Sequence, residues 1–287
     1  MPETTRLNGV IAALEAGQPA FVTFSAATPE NAMAIGDAAY DGIVFEMEHN
    51  PYDIRALRDS FQYLLNRKQI VDRGTLAPAV TPIVRIPPNG GEMNQWIAKQ
   101  VLDSGAYGIV WPHVSTVDEA RNAVAACRYP RPPSAPIFEP AGQRGDAPAA
   151  AARYWGLSQQ EYYRKADVWP LAPDGEIIVA IMCEEVRAVK KLPDILEQVP
   201  GIGCVIIGEG DLSQDLGFPR QYEHPAVVEA MASVVETCKR FNVVCGHPHV
   251  DSANVERVLA QGYRWLMPAP TRSFGALELG RKLSGRS

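Results

Sequence analysis

The sequence predicts an α/β fold, a parallel TIM (β/α)8 barrel that forms one domain across residues 1–287. Three observations carry this. Short apolar runs alternate with helix-like segments through most of the chain, giving eight strand–helix pairs. No glycine-rich dinucleotide fingerprint follows the first run, which argues against an open doubly wound sheet. Charged and polar residues gather just past the ends of many different runs, the place where barrels keep their chemistry.

The elements follow in order. Ala20 to Ser25 is the first strand, and Pro29-Glu30 opens a helix to Tyr40. Gly42 to Met47 is the second strand. The segment Asp53 to Asn66 behind it places Ile54, Leu57, Phe61 and Leu64 at helical spacing. Thr81 to Ile86 is paired with Glu92 to Leu102, and Tyr107 to Trp111 with Val117 to Cys127. Ile177 to Cys183 is paired with Val186 to Gln198. Gly203 to Ile207 precedes a helix at Ala226 to Phe241. Asn242 to Cys245 and Tyr263 to Met267 complete the strands, and Gly275 to Leu283 closes the chain.

One stretch breaks the alternation. Between the fourth helix and the fifth strand lies a long inserted loop, about residues 130–175, rich in proline and carrying Tyr154, Trp155, Tyr162, Tyr163 and Trp169. Loops this long inside a compact domain are usually functional or mobile. Ala149 to Arg153 and Ser158 to Ala166 are expected to form short helices within it.

Bulk composition narrows the function. With 46% hydrophobic residues the chain can bury a barrel core, and its net charge is −6. The 20 arginines and 7 lysines are scattered, so no nucleic-acid surface is expected. No apolar run approaches the ~18 residues that span a membrane, and the first residues lack the layout of a signal peptide. Five cysteines without paired spacing point to a reduced, cytoplasmic protein without disulfides.

The most informative stretch is Gly208-Glu209-Gly210-Asp211-Leu212-Ser213, directly after the apolar Cys204-Val205-Ile206-Ile207. Upstream, the strand ending at Cys183 runs into Glu184-Glu185. Two acids ending successive strands can converge on one divalent cation, and hard oxygen ligands suit Mg2+ or Mn2+. The plainer alternative is that each acid caps the helix that follows. Other strand ends carry Glu46, Glu48 and His49, then Arg85, His113, and the pair His247 and His249. The seven lysines fall on helices or loops, so no Schiff-base lysine ends a strand. The pair His247 and His249 is expected to line a pocket or pack rather than share an ion.

Read in order, these motifs resemble the HpcH/HpaI aldolases, metal-dependent lyases of class II that make or break bonds to pyruvate. Glu46-Met47-Glu48-His49 resembles the family's acidic-Gly-Glu-His turn, and Pro82-Ile83-Val84-Arg85 its strand-three arginine motif. Lys99 to Gly105 is similar to the end of its next helix. Arg128-Tyr129-Pro130 and Gly142-Gln143-Arg144-Gly145 resemble two halves of one loop motif, and Gly208 to Ser213 its Gly-Pro-Ala-Asp-Leu-Ser turn.

The resemblance implies roles. Glu184 and Asp211 fall on the family's metal ligands, with Mg2+, Mn2+ or Co2+ as the ion. Arg85 falls on the arginine beside the pyruvate oxygen, an oxyanion-stabilising role worth about 2.7–4 kcal/mol. His49 falls on the general base and Asp103 on the acid that orients it. The backbone amides of Gly210 and Asp211 fall where the carboxylate of pyruvate is held. The family also implies a homo-oligomer, commonly a hexamer with exchanged C-terminal helices. The chain departs from the pattern at Glu46, Met47, Met182, Glu209 and Gly210, and by an insertion of roughly ten residues in the loop after Pro130.

The expected reaction joins pyruvate, as its enolate, to an aldehyde, or cleaves a 4-hydroxy-2-oxo acid into them. Decarboxylation of oxaloacetate, citrate-lyase-like chemistry on a thioester, and a non-catalytic keto-acid-binding barrel are the alternatives. No basic cluster suited to the phosphates of coenzyme A is evident. The aromatic insertion is expected to shape the acceptor pocket and to favour an aromatic or bulky aldehyde.

Overall fold

The computed structural model describes residues 6–270 and 274–286. Its parallel sheet closes on itself. The staves are β1 (Ala20–Ser25), β2 (Gly42–Glu46), β3 (Thr81–Arg85) and β4 (Gly108–Trp111), followed by β6 (Ile177–Cys183), β7 (Cys204–Ile207), β8 (Val244–Val250) and β9 (Trp265–Pro268). The two-residue β5 (Val168–Trp169) attaches to the start of β6. Closure comes from Ala20 against Trp265 at one seam and Gly108 against Ile178 at the other. The expected eight-stave barrel is therefore present.

Side-chain alternation divides the core in two. Val22, Val44, Ile83, Val110, Ile178, Ala180, Met182, Cys204, Ile206, Trp265 and Met267 fill the barrel interior. Their neighbours along each strand, such as Ile43, Ile109, Val179, Ile181, Val205 and Ile207, face the helices. Continuing the inward parity two residues beyond the last core residue places Glu46, Arg85 and Glu184 at the C-terminal mouth.

The helices are α1 (Gly9–Glu15), α2 (Pro29–Gly36), α3 (Ile54–Leu64), α4 (Arg67–Arg73), α5 (Gln95–Asp103), α6 (Val117–Ala126), α7 (Ala149–Trp155), α8 (Gln159–Lys165), α9 (Val186–Gln198), α10 (Glu209–Asp215), α11 (Pro225–Phe241), α12 (Val255–Gln261) and α13 (Gly275–Leu283). Their starts are legible locally. Thr116 and Glu119 form a capping box on α6, as Ser158 and Glu161 do on α8. Pro29 and Pro225 occupy first turns, where the missing N–H costs nothing. Sequence periodicity missed α1, α4, α10 and α12. Each is seven residues long, two turns or less, too short to establish a 3.6-residue pattern. It also ended the seventh stave too early: β8 runs through His247-Pro248-His249 to Val250, with a register irregularity against β9. Helix α13 docks on its own barrel, Leu277 buried and Gly280 beside Phe21 and Val255.

The insertion is a packed scaffold carrying α7, α8 and β5. Arg128 is buried, bonded to Asp167 through Nε (2.7 Å) and Nη2 (3.1 Å) and to the carbonyls of Ile137, Phe138 and Pro140. Arg144, also buried, donates to Asp103 and to the Tyr162 hydroxyl and lies over the Tyr129 ring. Trp155 stacks on Tyr107 at 4.1 Å and donates to the Gly105 carbonyl. Trp155 and Tyr162 are fully buried and Tyr154 nearly so. Trp169 donates to Glu15 on α1. Trp155, Tyr162 and Tyr154 are committed to packing the excursion on the barrel, whereas Tyr129 and Tyr163 line a cavity within it.

Candidate active site at the barrel mouth

Glu46 and Arg85 sit opposite each other in the β2–β3 register. Arg85 Nε donates to Glu46 Oε2 at 2.6 Å, and Nη2 reaches the same oxygen. Arg85 Nη1 lies 2.9 Å from Glu48 Oε2 and 3.6 Å from Met182 Sδ. Its guanidinium stacks 4.5 Å over Phe24. The other oxygen of Glu46 accepts the backbone N–H groups of Glu48 (2.7 Å) and His49 (3.2 Å). One buried carboxylate thus anchors the arginine and folds the 46–49 turn. Met47 occupies this turn without a left-handed backbone, so the absence of glycine there causes no strain.

Across the mouth, Glu184 follows β6 and is almost completely buried. Its Oε2 accepts the N–H of His113 (3.1 Å) and lies 3.2 Å from His113 Nε2. His113 Nδ1 is 3.4 Å from Glu185, whose other oxygen accepts from the Ser115 hydroxyl at 2.8 Å. Asp211 enters from the first turn of α10. One ligand atom each from His113, Glu184 and Asp211 lie within 4.8 Å of one another. Gly208 makes this possible: a Cβ there would come within 2.3 Å of Glu184 Oε1.

Negative charge is in excess. Glu46, Glu48, Glu184 and Asp211 share this mouth with Arg85. Burial pushes the Glu184 carboxyl up to about 7; Glu48 and Asp211 add to the rise and His113 opposes it. Burial also raises the Glu48 carboxyl, against the pull of Arg85 and His49. Buried carboxylates that repel one another while a ring nitrogen turns toward them are the electrostatic signature of a cation site, and the oxygen-rich donor set suits a hard divalent ion. The chain therefore carries a possible acidic metal site.

The residues singled out from sequence divide into two groups. Glu184, Asp211 and Arg85 gather at the mouth. His49 is exposed there, its Nε2 3.6 Å from Glu48. Asp103 lies at the end of α5, where its carboxylate accepts Arg144 Nη2 at 2.9 Å and Nε at 3.3 Å. Burial raises the Asp103 carboxyl and Arg144 opposes the shift. The amides of Gly210 and Asp211 belong to the first turn of α10, where backbone N–H groups lack intrahelical acceptors. Two residues gained weight only from the structure. His113 joins the acid pair, and Glu48 bridges Arg85 and His113 at 2.9 and 3.8 Å. The signal for both was position alone, directly after staves β4 and β2.

A family model described as HpcH/HpaI aldolase/citrate lyase matches residues 21–267. The chain belongs to that family. It is 32% identical over 248 residues to a hydroxypyruvate/pyruvate aldolase of Roseobacter denitrificans, covering 85% of this chain and 83% of that protein. It is 31% identical over 249 residues to a 2-keto-3-deoxy-L-rhamnonate aldolase of Klebsiella pneumoniae, covering 86% and 80%. Among solved structures, an HpcH/HpaI aldolase/citrate lyase family protein from Burkholderia cenocepacia superposes with a TM-score of 0.75 at 28% identity, covering 96% of this chain and 97% of that one. Among the described residues, no helix is long and apolar enough to cross a membrane.

Proposed function

We propose that this chain is a metal-dependent pyruvate aldolase, cleaving a 4-hydroxy-2-oxo acid into pyruvate and an aldehyde or running the reverse addition. The convergence of His113, Glu184 and Asp211 within 4.8 Å is the observation that carries this reading. Glu184 and Asp211 would hold a divalent cation, Mg2+ or Mn2+ by donor chemistry, with His113 Nε2 the third donor in reach. When bound, such an ion supplies Lewis-acid stabilisation of negative charge on the keto oxygen.

The remaining work falls to the chain's own groups. In the cleavage direction a base removes the proton of the C4 hydroxyl, and the C3–C4 bond breaks to release the aldehyde. The electron pair delocalises onto the C2 oxygen as an enolate, and a proton is then delivered to C3. Arg85 is held rigidly by Glu46, Glu48 and Phe24, so its positive charge is in place before the enolate forms. His49, exposed at the mouth with its Nε2 3.6 Å from Glu48, is the ring we assign to proton exchange with the substrate. The amides of Gly210 and Asp211 are free to receive the substrate carboxylate. A role for Asp103 in orienting His49 competes with its bonds to Arg144.

The homo-oligomer and the cytoplasmic location remain part of this proposal; all five cysteines are free and buried, as a reducing compartment allows. The reaction is tested by coupling pyruvate release to lactate dehydrogenase. Metal-stripped protein should be inactive on 4-hydroxy-2-oxo acids and regain activity with Mn2+ or Mg2+. Release from oxaloacetate alone would assign a decarboxylase, and no release from either, with metal bound, would assign a binding protein.

A further inference from the structure

Helix α10 carries Asp211 into the mouth; beyond the Gly208 N–H bond to the Cys183 carbonyl (3.2 Å) and the Ser213 hydroxyl bond to the Gly210 carbonyl (2.7 Å), little in its own backbone fixes its first turn. Gly208 and Gly210 flank Glu209, and a Cβ at Gly210 would touch nothing within 4 Å. Gly210 is thus not required by packing, and it loosens the chain. The first-turn N–H groups make no intrahelical bonds.

What grips this turn lies on its other side. Glu209 and Asp211 are two residues apart on a helix, so their side chains diverge by about 200° around the axis. Asp211 faces the acid cluster, whereas the Glu209 carboxylate, 5% exposed, meets the extension of β8. There His249 Nδ1 hydrogen-bonds Glu209 Oε1, and His247 Nε2 lies 3.8 Å from Oε2. His247 is itself buried and braced edge-on by Tyr263 at 5.0 Å, and its ring nitrogen accepts the N–H of His249 at 3.3 Å. These groups border a cavity of about 610 Å³ between α11 and α12, which does not include Glu184, Asp211 or Arg85 in its lining.

We propose that Glu209, clamped by His249 and His247, is a positioning residue for the metal site: it ties the first turn of α10 to β8 and so fixes Asp211 and the amides of Gly210 and Asp211. This rests on the reading of Glu184 and Asp211 as metal ligands. A buried carboxylate aimed away from the site holds rigid a helix start that its glycines leave loose.

The test is Mn2+ affinity of the metal-stripped full-length protein, read by electron paramagnetic resonance of free Mn2+, beside thermal melting. Glu209→Gln should weaken Mn2+ binding about tenfold, the low end of what removal of outer supporting residues costs. His249→Ala, at an exposed position, should shift it in the same direction and guards against a Glu209 variant that fails to fold. The decisive arm is the double variant Glu209→Pro/Gly210→Ala. Gly208 (φ −85°, ψ 80°) lies outside the helical region, as a residue before proline must, and proline suits the first helical position. This backbone should regain most of the lost affinity without any clamp. Unchanged Mn2+ affinity in Glu209→Gln and His249→Ala, or a lowered melting temperature alone, would overturn the proposal. So would failure of the stiffened double variant to bind better than Glu209→Gln. A wild-type protein that binds no Mn2+ would overturn the metal reading itself, and this proposal with it.

Discussion

Two arginines in this molecule sit beside carboxylates and do opposite work. Arg128, just before the insertion, donates to both oxygens of Asp167 and to three backbone carbonyls, and Arg131 approaches the same aspartate at 2.6 Å. Every charge there has a partner, and the result is a buried pin. Arg85, at the mouth, faces Glu46 and Glu48 while Glu184 and Asp211 stand nearby with the His113 ring beside them. That region is left short of positive charge. The same residue types make structure where every carboxylate has a cation and a site where carboxylates outnumber cations.

The comparison breaks first at the acid pair. Asp211→Ala or Glu184→Ala should abolish metal-dependent turnover, while circular dichroism shows an intact fold, because removing one of several repelling carboxylates costs the barrel little. Arg128→Ala should do the reverse. It leaves Asp167 buried with reduced compensation, and urea unfolding should show a loss of about 3–5 kcal/mol. Arg85→Ala lies between them. Its turnover should fall about 10²–10³-fold, with a smaller loss in urea stability than Arg128→Ala, since the mouth opens to water. Gly208→Ala should weaken Mn2+ binding with modest effect on folding, because the new methyl displaces Glu184.

How far this contrast was legible in the sequence depends on period. The staves β1, β6 and helices α9 and α13 lie where the apolar patterning put them, since each is one clean run with marked ends. Glu184 and Arg85 reach the mouth because strand parity carries two residues beyond the core, and Asp211 because the chain turns into α10 directly after β7. The structural half was opaque. Nothing in spacing announces that Arg128 meets Asp167, or that Arg144 takes the Asp103 carboxylate, because those contacts join residues about 40 apart through an irregular loop. The apolar pattern stops at Cys245 and leaves His247 and His249 past a strand end; in the structure the strand continues, and both rings turn to Glu209.

The smallest effect is a pH dependence of the metal-free protein. A carboxyl raised in the folded state to about 7 favours folding when protonated. That stability is present below the unfolded value near 4.5 and is lost as pH rises through about 7. Metal-stripped protein should therefore melt lower at pH 8 than at pH 6, and Glu184→Gln should flatten the difference. Burial lowers the His247 pKa, which favours the opposite trend below its ordinary value, so the comparison between wild type and variant is the meaningful one.

The most direct measurement is the anomalous difference map of a crystal soaked with Mn2+ and pyruvate. A single strong peak within coordination distance of both Glu184 and Asp211 is the predicted result. A peak elsewhere, or these two carboxylates too far apart to share one, would contradict the account.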